Sequence, residues 1–339
     1  MKAAVLREFG RPLRIEEVPK PLPEPDEVLV KVEACGVCHS DLHVIDGDQA
    51  GFKAMTKQAL IPGHEVVGRV VQTGSSVRGL HVGDRVGVAW MHASCGACDQ
   101  CREGRENLCR RFVITGVMVD GGYAQFMRAK ASHAIPVPDA LGPIEAAPLF
   151  CAGVTVYRAL RNAGVKSEQR VAVVGIGGLG HLAVQVARAL GAEVLALDVA
   201  EDKLELAREL GASTVLNVAD PQAVKAVRQS GGAHVAIMTS AANAAFDTAL
   251  KCLRPAGTLS VVGVPPDALA FSALALVTGE FRVTGSAVGT RDDLRATLAL
   301  GAAGKVRSHT ETAPVDRVNE VLERMRRGAI TGRVVLTFE

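Results

Sequence analysis

Residues 170–198 read RVAVVGIGGLGHLAVQVARALGAEVLALD. The aliphatic run at 171–174 has the composition of a strand buried on both faces. It ends in Gly175-Ile176-Gly177-Gly178-Leu179-Gly180, a G-x-G-x-x-G that opens a helical pattern. Leu182, Val186 and Leu190 recur at helical spacing up to Gly191, and a second strand at 194–197 ends in Asp198. Glycine-rich turns are common in a chain with 35 glycines, so the hexapeptide alone says little. Strand, glycines, helix, strand and terminal acid in that order are what a dinucleotide fold requires. The glycines let backbone amides approach a pyrophosphate at a helix N-terminus. Asp198, 18 residues after Gly180, is placed to accept hydrogen bonds from an adenosine ribose. Its charge opposes a 2′-phosphate, so the coenzyme expected is NAD rather than NADP. The plain alternative is that Asp198 caps the helix expected over 200–210.

Outward from this stretch the alternation continues. Residues 233–239, 258–263 and 281–285 read as strands, with a helix over 242–253. The region 152–287 is therefore expected to be a doubly wound parallel sheet of the Rossmann type, in an α/β protein. The segment before it, 1–151, has a different texture. Short alternating stretches at 27–33 and 66–72, with turns at Gly74, Gly83 and Gly87, predict a β-rich domain. The tail, 288–339, ends in a strand pattern over 333–338 whose alternation suggests a return to that first domain.

The composition narrows the function. The chain has 339 residues, 38 basic against 36 acidic, which is a net charge of +2 and gives no electrostatic case for nucleic acid or an anionic membrane as partner. At roughly 150 residues per domain the length implies about two domains. No run of 18 apolar residues occurs, and residues 1–10 lack the apolar core of a signal peptide. A cytoplasmic protein with reduced thiols is expected.

Four of the eight cysteines, Cys95, Cys98, Cys101 and Cys109, form a C-x2-C-x2-C-x7-C lobe. A disulfide framework does not suit a large cytoplasmic chain, and iron–sulfur clusters use other common spacings. Two residues between thiols let a tight turn aim both sulfurs at one point, and four thiolates close a tetrahedral shell, so a structural zinc is expected here. Arg102, Arg105, Arg110 and Arg111 lie in or beside the lobe and offer to offset its charge, diluted by Asp99, Glu103 and Glu106. A second constellation is dispersed: Cys35, Cys38 and His43 in ACGVCHSDLH, His64 and Glu65 in IPGHEVVG, and Cys151 in PLFCAGVTVY. Taken singly, Cys35–Cys38 reads as a redox pair outside its usual context, and Cys151 as a packed thiol. Two sulfurs and one imidazole would leave one tetrahedral position free for water or substrate. Cys252 reads as packed.

With these motifs in order, the chain resembles the zinc-dependent alcohol dehydrogenases of the medium-chain dehydrogenase/reductase superfamily, in particular its bacterial, usually tetrameric members. CGVCHSDLH, IPGHEVVG, GDRVGV, the four-cysteine lobe, DGGYAQF, EAAPLFCAGVTVY, GIGGLGHLAVQ and the GVPP at 263–266 carry the resemblance over nearly the whole chain. It implies a GroES-like β-rich catalytic domain beside the Rossmann domain, two zinc ions, NAD, an alcohol or aldehyde substrate and a homotetramer. The catalytic zinc ligands it implies are Cys38, His64 and Cys151, with Glu65 close by and Asp41 orienting His64. Ser40 would pass the alcohol proton toward His43. His39 and Arg333 would lie by the pyrophosphate, Lys203 would support Asp198 at the ribose, and Thr155 and Val264 would pack near the nicotinamide. Cys35 matches no ligand position. Close relatives carry a Trp where this chain has Gln49, while Trp90 keeps another pocket wall. A wider or more polar alcohol pocket is expected, unless Phe52 or Met55 refills the space. A polyol or aldehyde-reducing dehydrogenase would show the same motifs, and a zinc- and NAD-binding redox regulator would share the cysteines without turnover.

Overall fold

The computed structural model of the protein describes residues 1–265 and 267–338; Pro266, the last residue of GVPP, lies outside them. The chain divides into two compact units. One is Met1–Cys151 with Thr290–Ala302 and Thr310–Glu339; the other is Ala152–Gly289 with Ala303–His309.

The second unit is a six-stranded, all-parallel sheet. Its order is Thr214–Asn217, Glu193–Asp198, Arg170–Val174, Ala233–Met238, Leu253–Val261, Arg282–Gly285. The strand Arg170–Val174 is central because residues 171–174 are apolar on both faces, and all four are buried. The chain winds outward from it in both directions, as a doubly wound sheet does. Thr214–Asn217 and the helix Gln222–Gln229 were not legible in the sequence pattern: the strand is short and half-exposed, so its apolar signal is weak.

Only glycine serves at two points of the turn after Arg170–Val174. Gly175 has φ +95°, in the left-handed region. A Cβ on Gly180 would overlap the carbonyl oxygen of Gly175, so its absence sets how closely the helix Gly180–Ala189 meets the strand. A Cβ on Gly177 would meet nothing within 4 Å.

The first unit is built on a seven-stranded sheet. Its order is Thr310–Pro314, Arg333–Thr337, Glu27–Gly36, Glu65–Thr73, Arg85–Val88, Ala134–Pro136, with Phe126–Lys130 also paired to Glu27–Gly36. The tail strand Arg333–Thr337 thus sits beside Glu27–Gly36, with Val335 opposite Gly36. The tail is not one uninterrupted return, however. The second unit extends to Gly289 rather than 287, and Ala303–His309 belongs to it as well. The cause is local: Gln185 Nε2 donates to the Arg307 carbonyl at 2.7 Å, and the Arg307 N–H donates back to Gln185 Oε1 at 2.8 Å.

Candidate active site

The four-cysteine lobe leaves and re-enters the first unit through a two-stranded ladder, Met91–Ala93 against Val113–Ile114. Between the strands lie a one-turn helix, Asp99–Arg102, and a 3-10 turn, Glu106–Leu108. These turns bring the sulfurs together: Cys95 to Cys101 is 3.8 Å, Cys98 to Cys101 is 3.6 Å and Cys98 to Cys109 is 3.9 Å. Four sulfurs at about 2.3 Å from a tetrahedral zinc stand about 3.8 Å apart, so the cage already has the right size. Its charge is met chiefly by backbone. The Cys98 N–H points at Cys95 Sγ (3.3 Å), and those of Cys95 and Arg111 at Cys109 Sγ (3.4 Å each). Of the four arginines named above, Arg102 turns to the Ala97 carbonyl and Arg105 to Glu103, while the Arg111 side chain faces Cys95. Amides at Ala97 and Cys98 pull the Cys95 thiol down to about 5, and burial with the neighbouring sulfurs pushes Cys101 up to about 12. A proton shared among thiols in this way is what a dication displaces.

The second group is assembled from distant segments. Cys38 is the N-cap of the helix His39–Asp46, in extended conformation two residues after the strand Glu27–Gly36 ends. His64 and Glu65 stand where Gly63, at φ +97°, turns the chain into the strand Glu65–Thr73. Cys151 follows the 3-10 turn Ala147–Phe150, whose Phe150 ring covers Gly87 in the sheet; any side chain there would collide with it. Cys38 Sγ and Cys151 Sγ are 3.9 Å apart, and one donor atom from each of Cys38, His64, Glu65 and Cys151 lies within 4.8 Å of the others.

The protonation chemistry follows from this packing. The hydrogen bond between the two thiols holds Cys38 well below its ordinary range and Cys151 well above it. Burial disfavours charge on His64, but the Asp41 carboxylate at 2.8 Å from Nδ1 more than offsets it. That bond leaves His64 Nε2 buried and without a partner. Burial pushes the Glu65 carboxyl up to about 7 against the pull of Arg333. Arg333 donates to Glu65 Oε1, and Oε2 has no partner. Two thiols and an orphaned imidazole nitrogen around one point fit a zinc ion, with the remaining side open or shared with Glu65.

The other expected residues fall as follows. Ser40 is half-buried in the first turn of the helix His39–Asp46, beside an exposed His39. His43 lies one turn on, with Nδ1 2.8 Å from Asp48. Trp90 stands edge-on to His64 at 4.7 Å, and Phe52 edge-on to Trp90 at 5.6 Å. Phe52 thus packs on Trp90, three residues after the half-buried Gln49, whereas Met55 is on the surface. In the parallel-sheet unit, Asp198 Oδ2 accepts from the Ile176 N–H at 2.6 Å and Oδ1 from Val199 at 2.7 Å and Ala200 at 3.1 Å. The carboxylate thus binds the strand end to the glycine turn, while Ala200 is the N-cap of the helix Glu201–Glu209 that carries a half-buried Lys203. Thr155 is buried and Val264 is exposed. Arg333 is buried against Glu65, so its place in the protein is first of all that of a carboxylate partner. Sequence reading missed Tyr123, whose hydroxyl donates to Asp41 at 2.9 Å; DGGYAQF carried the signal without saying what the tyrosine touches.

One group is a four-sulfur cage; the other gathers two thiols and an imidazole with a carboxylate beside them. Joined in one chain with a dinucleotide-type sheet, they define a zinc-binding dehydrogenase. Residues 24–139 match the alcohol dehydrogenase GroES-like domain family and residues 178–303 the zinc-binding dehydrogenase family. An alcohol dehydrogenase of Geobacillus stearothermophilus is 46% identical over 340 residues, covering 100% of both chains. The crystal structure of the alcohol dehydrogenase from the hyperthermophilic archaeon Aeropyrum pernix superposes with a TM-score of 0.91 at 36% identity, again covering 100% of each chain. An acetophenone reductase from Geotrichum candidum, solved in complex with NAD, gives 0.87 at 33% identity, covering 99% of this chain and 97% of that one. The chain belongs to the zinc-binding alcohol dehydrogenase family.

Metal analysis of the purified protein should return two zinc ions per chain. Cys101→Ser should keep one and lower the melting temperature by about 5 °C or more. Cys151→Ser should keep one with little thermal change; a full complement of zinc in either variant contradicts the corresponding site.

Proposed function

We propose that the chain catalyses the reversible oxidation of primary or secondary alcohols to aldehydes or ketones, with NAD as hydride acceptor, at a zinc held by Cys38, His64 and Cys151. The observation that carries this reading is the orphaned His64 Nε2 gathered with the Cys38 and Cys151 sulfurs, themselves 3.9 Å apart. When bound, zinc supplies the Lewis acidity that lets an alcohol hydroxyl lose its proton near neutral pH, and the nicotinamide supplies the hydride acceptor. The protein moves the proton. Ser40 Oγ receives it and passes it toward His43, whose Nδ1–H is engaged by Asp48 so that Nε2 is the accepting nitrogen. His43 is partly exposed, which gives the proton an exit to water. Glu65, turned toward Arg333, stays close enough to approach the metal when the other donors shift.

For the coenzyme, the amides around Gly175, Gly177, Gly178, Leu179 and Gly180 would receive the pyrophosphate. The open space at Gly177 supports this. Asp198, with Lys203 nearby on the next helix, would hold the adenosine ribose and repel a 2′-phosphate. Thr155 and Val264 would flank the nicotinamide. Gln49 in place of a tryptophan supports a pocket for alcohols larger than ethanol, and Phe52, edge-on to Trp90, is the residue that would narrow it. NADH formation assayed across ethanol, hexanol, benzyl alcohol and a polyol tests the reading. Higher kcat/KM for hexanol and benzyl alcohol, and at least about tenfold preference for NAD over NADP, are expected. An ethanol preference would overturn the pocket assignment, a polyol preference would point to the sister activity, and no turnover to a regulator. His43→Ala should lower kcat by roughly tenfold or more, with partial rescue by added imidazole; an unchanged kcat removes the relay.

No helix among the described residues is long and apolar enough to cross a membrane. The eight free thiols suit the cytoplasm. We infer a homotetramer in which copies meet partly through the outer strand Arg282–Gly285 and the helix Ala273–Gly279, where Val283, Leu274 and Val277 are exposed. Sedimentation equilibrium should give four chains, and Leu274→Glu with Val277→Glu should give a smaller species; a monomer before substitution refutes the assembly.

A further inference from the structure

Residues 120–123, the DGGY of DGGYAQF, run along the loop that delivers His64. The Gly121 N–H donates to the Ile61 carbonyl at 2.7 Å, Gly122 to Gly63 at 2.9 Å and Tyr123 to Pro62 at 3.0 Å. Asp120 accepts from the Ile61 N–H at 3.0 Å and from Lys57 Nζ at 2.8 Å. Side chains on Gly121 or Gly122 would overlap the Gly63 carbonyl or Val66, so the approach needs glycines. A Cβ on Gly63 would in turn stand 2.5 Å from the Tyr123 ring. The segment is therefore a clamp fitted to the His64 loop, with a fully buried tyrosine at its end.

The tyrosine hydroxyl completes a chain of contacts. It donates to Asp41 Oδ2 at 2.9 Å, an oxygen that also accepts the Cys38 N–H at 3.0 Å. Asp41 Oδ1 faces His64 Nδ1 at 2.8 Å, and Nε2 lies at the other end of the ring beside the thiols. Burial and the neighbouring Asp41 charge keep the phenol protonated, so it acts as a donor. We propose that Tyr123 is a positioning residue of the metal centre: its hydroxyl fixes the rotation of the Asp41 carboxylate and, through it, the plane of the His64 imidazole. This rests on the reading of Cys38, His64 and Cys151 as zinc ligands. The ring alone packs against Gly63 and Cys35; the hydroxyl is what reaches the carboxylate.

Tyr123→Phe keeps the ring and removes the donor. Groups behind a metal-bound histidine change metal affinity by roughly 10–100-fold. Zinc release into excess chromogenic chelator should therefore be about ten- to a hundredfold faster from the three-donor site. Release from the four-cysteine site should not change, and Cys151→Ser, which would keep only that zinc, identifies its phase. In the cobalt-substituted protein the visible bands of the three-donor site should shift, a signature that mere packing would not move. Release rates and bands equal to those of the unmodified protein overturn the proposal. Equal acceleration at both sites also overturns it, since that is general loosening. One zinc per unmodified chain would overturn the ligand reading and this inference together, and it is seen without any variant.

Discussion

A single carboxylate, Asp41, joins three segments of the unit that carries both cysteine groups. It is almost wholly buried, and a buried charge is tolerated only when its lone pairs are met. The three groups that meet them come from different places: the Cys38 amide at the start of its own helix, the His64 ring after a left-handed glycine, and the Tyr123 hydroxyl from a loop. Satisfying Asp41 therefore sets the helix start, the imidazole orientation and the course of residues 120–123 at once. With the helix start goes Cys38, whose sulfur sits where the helix dipole favours a thiolate. Losing any one donor would leave part of a charge buried without compensation.

The two metal groups reach similar sulfur geometry by opposite routes. The four-cysteine cage closes within fifteen residues, and its charge is met by amides of the same turns. Little chain entropy separates its ligands, so the local turns are sufficient to shape it. Cys38 and Cys151 are 113 residues apart and come together only because the sheet, the Gly87–Phe150 contact and the His64 loop are already in place. One cage belongs to local structure and the other to the tertiary fold.

That difference explains what could be read from the sequence. The parallel-sheet unit was legible because its strand, glycine turn and helix are consecutive and each depends on near neighbours. The four-cysteine spacing was legible for the same reason. For the dispersed group the residues themselves gave only a weak signal, and family likeness supplied the ligand set. Two relations escaped both routes. Tyr123 meets Asp41 from 82 positions away, and Arg333 meets Glu65 from 268. No periodicity or spacing encodes such pairs, because each depends on two loops or strands converging after the fold has formed. The reciprocal bonds of Gln185 with Arg307, which draw residues 303–309 into the other unit, are of the same kind.

The place of the strand Arg333–Thr337 also has a temporal meaning. It pairs with residues 34–36 and supplies the partner of Glu65, yet it follows the whole parallel-sheet unit in the chain. At roughly 5–20 residues per second of synthesis, the 268 residues between Glu65 and Arg333 separate their emergence by on the order of tens of seconds. During that interval the parallel sheet, with its nearly contiguous strands, can be completed, while the domain begun first waits with an open strand edge. An open edge is a template for pairing with another chain. The nascent protein is thus most exposed to misassembly through the very unit that starts it, and the arrival of one late strand ends that exposure.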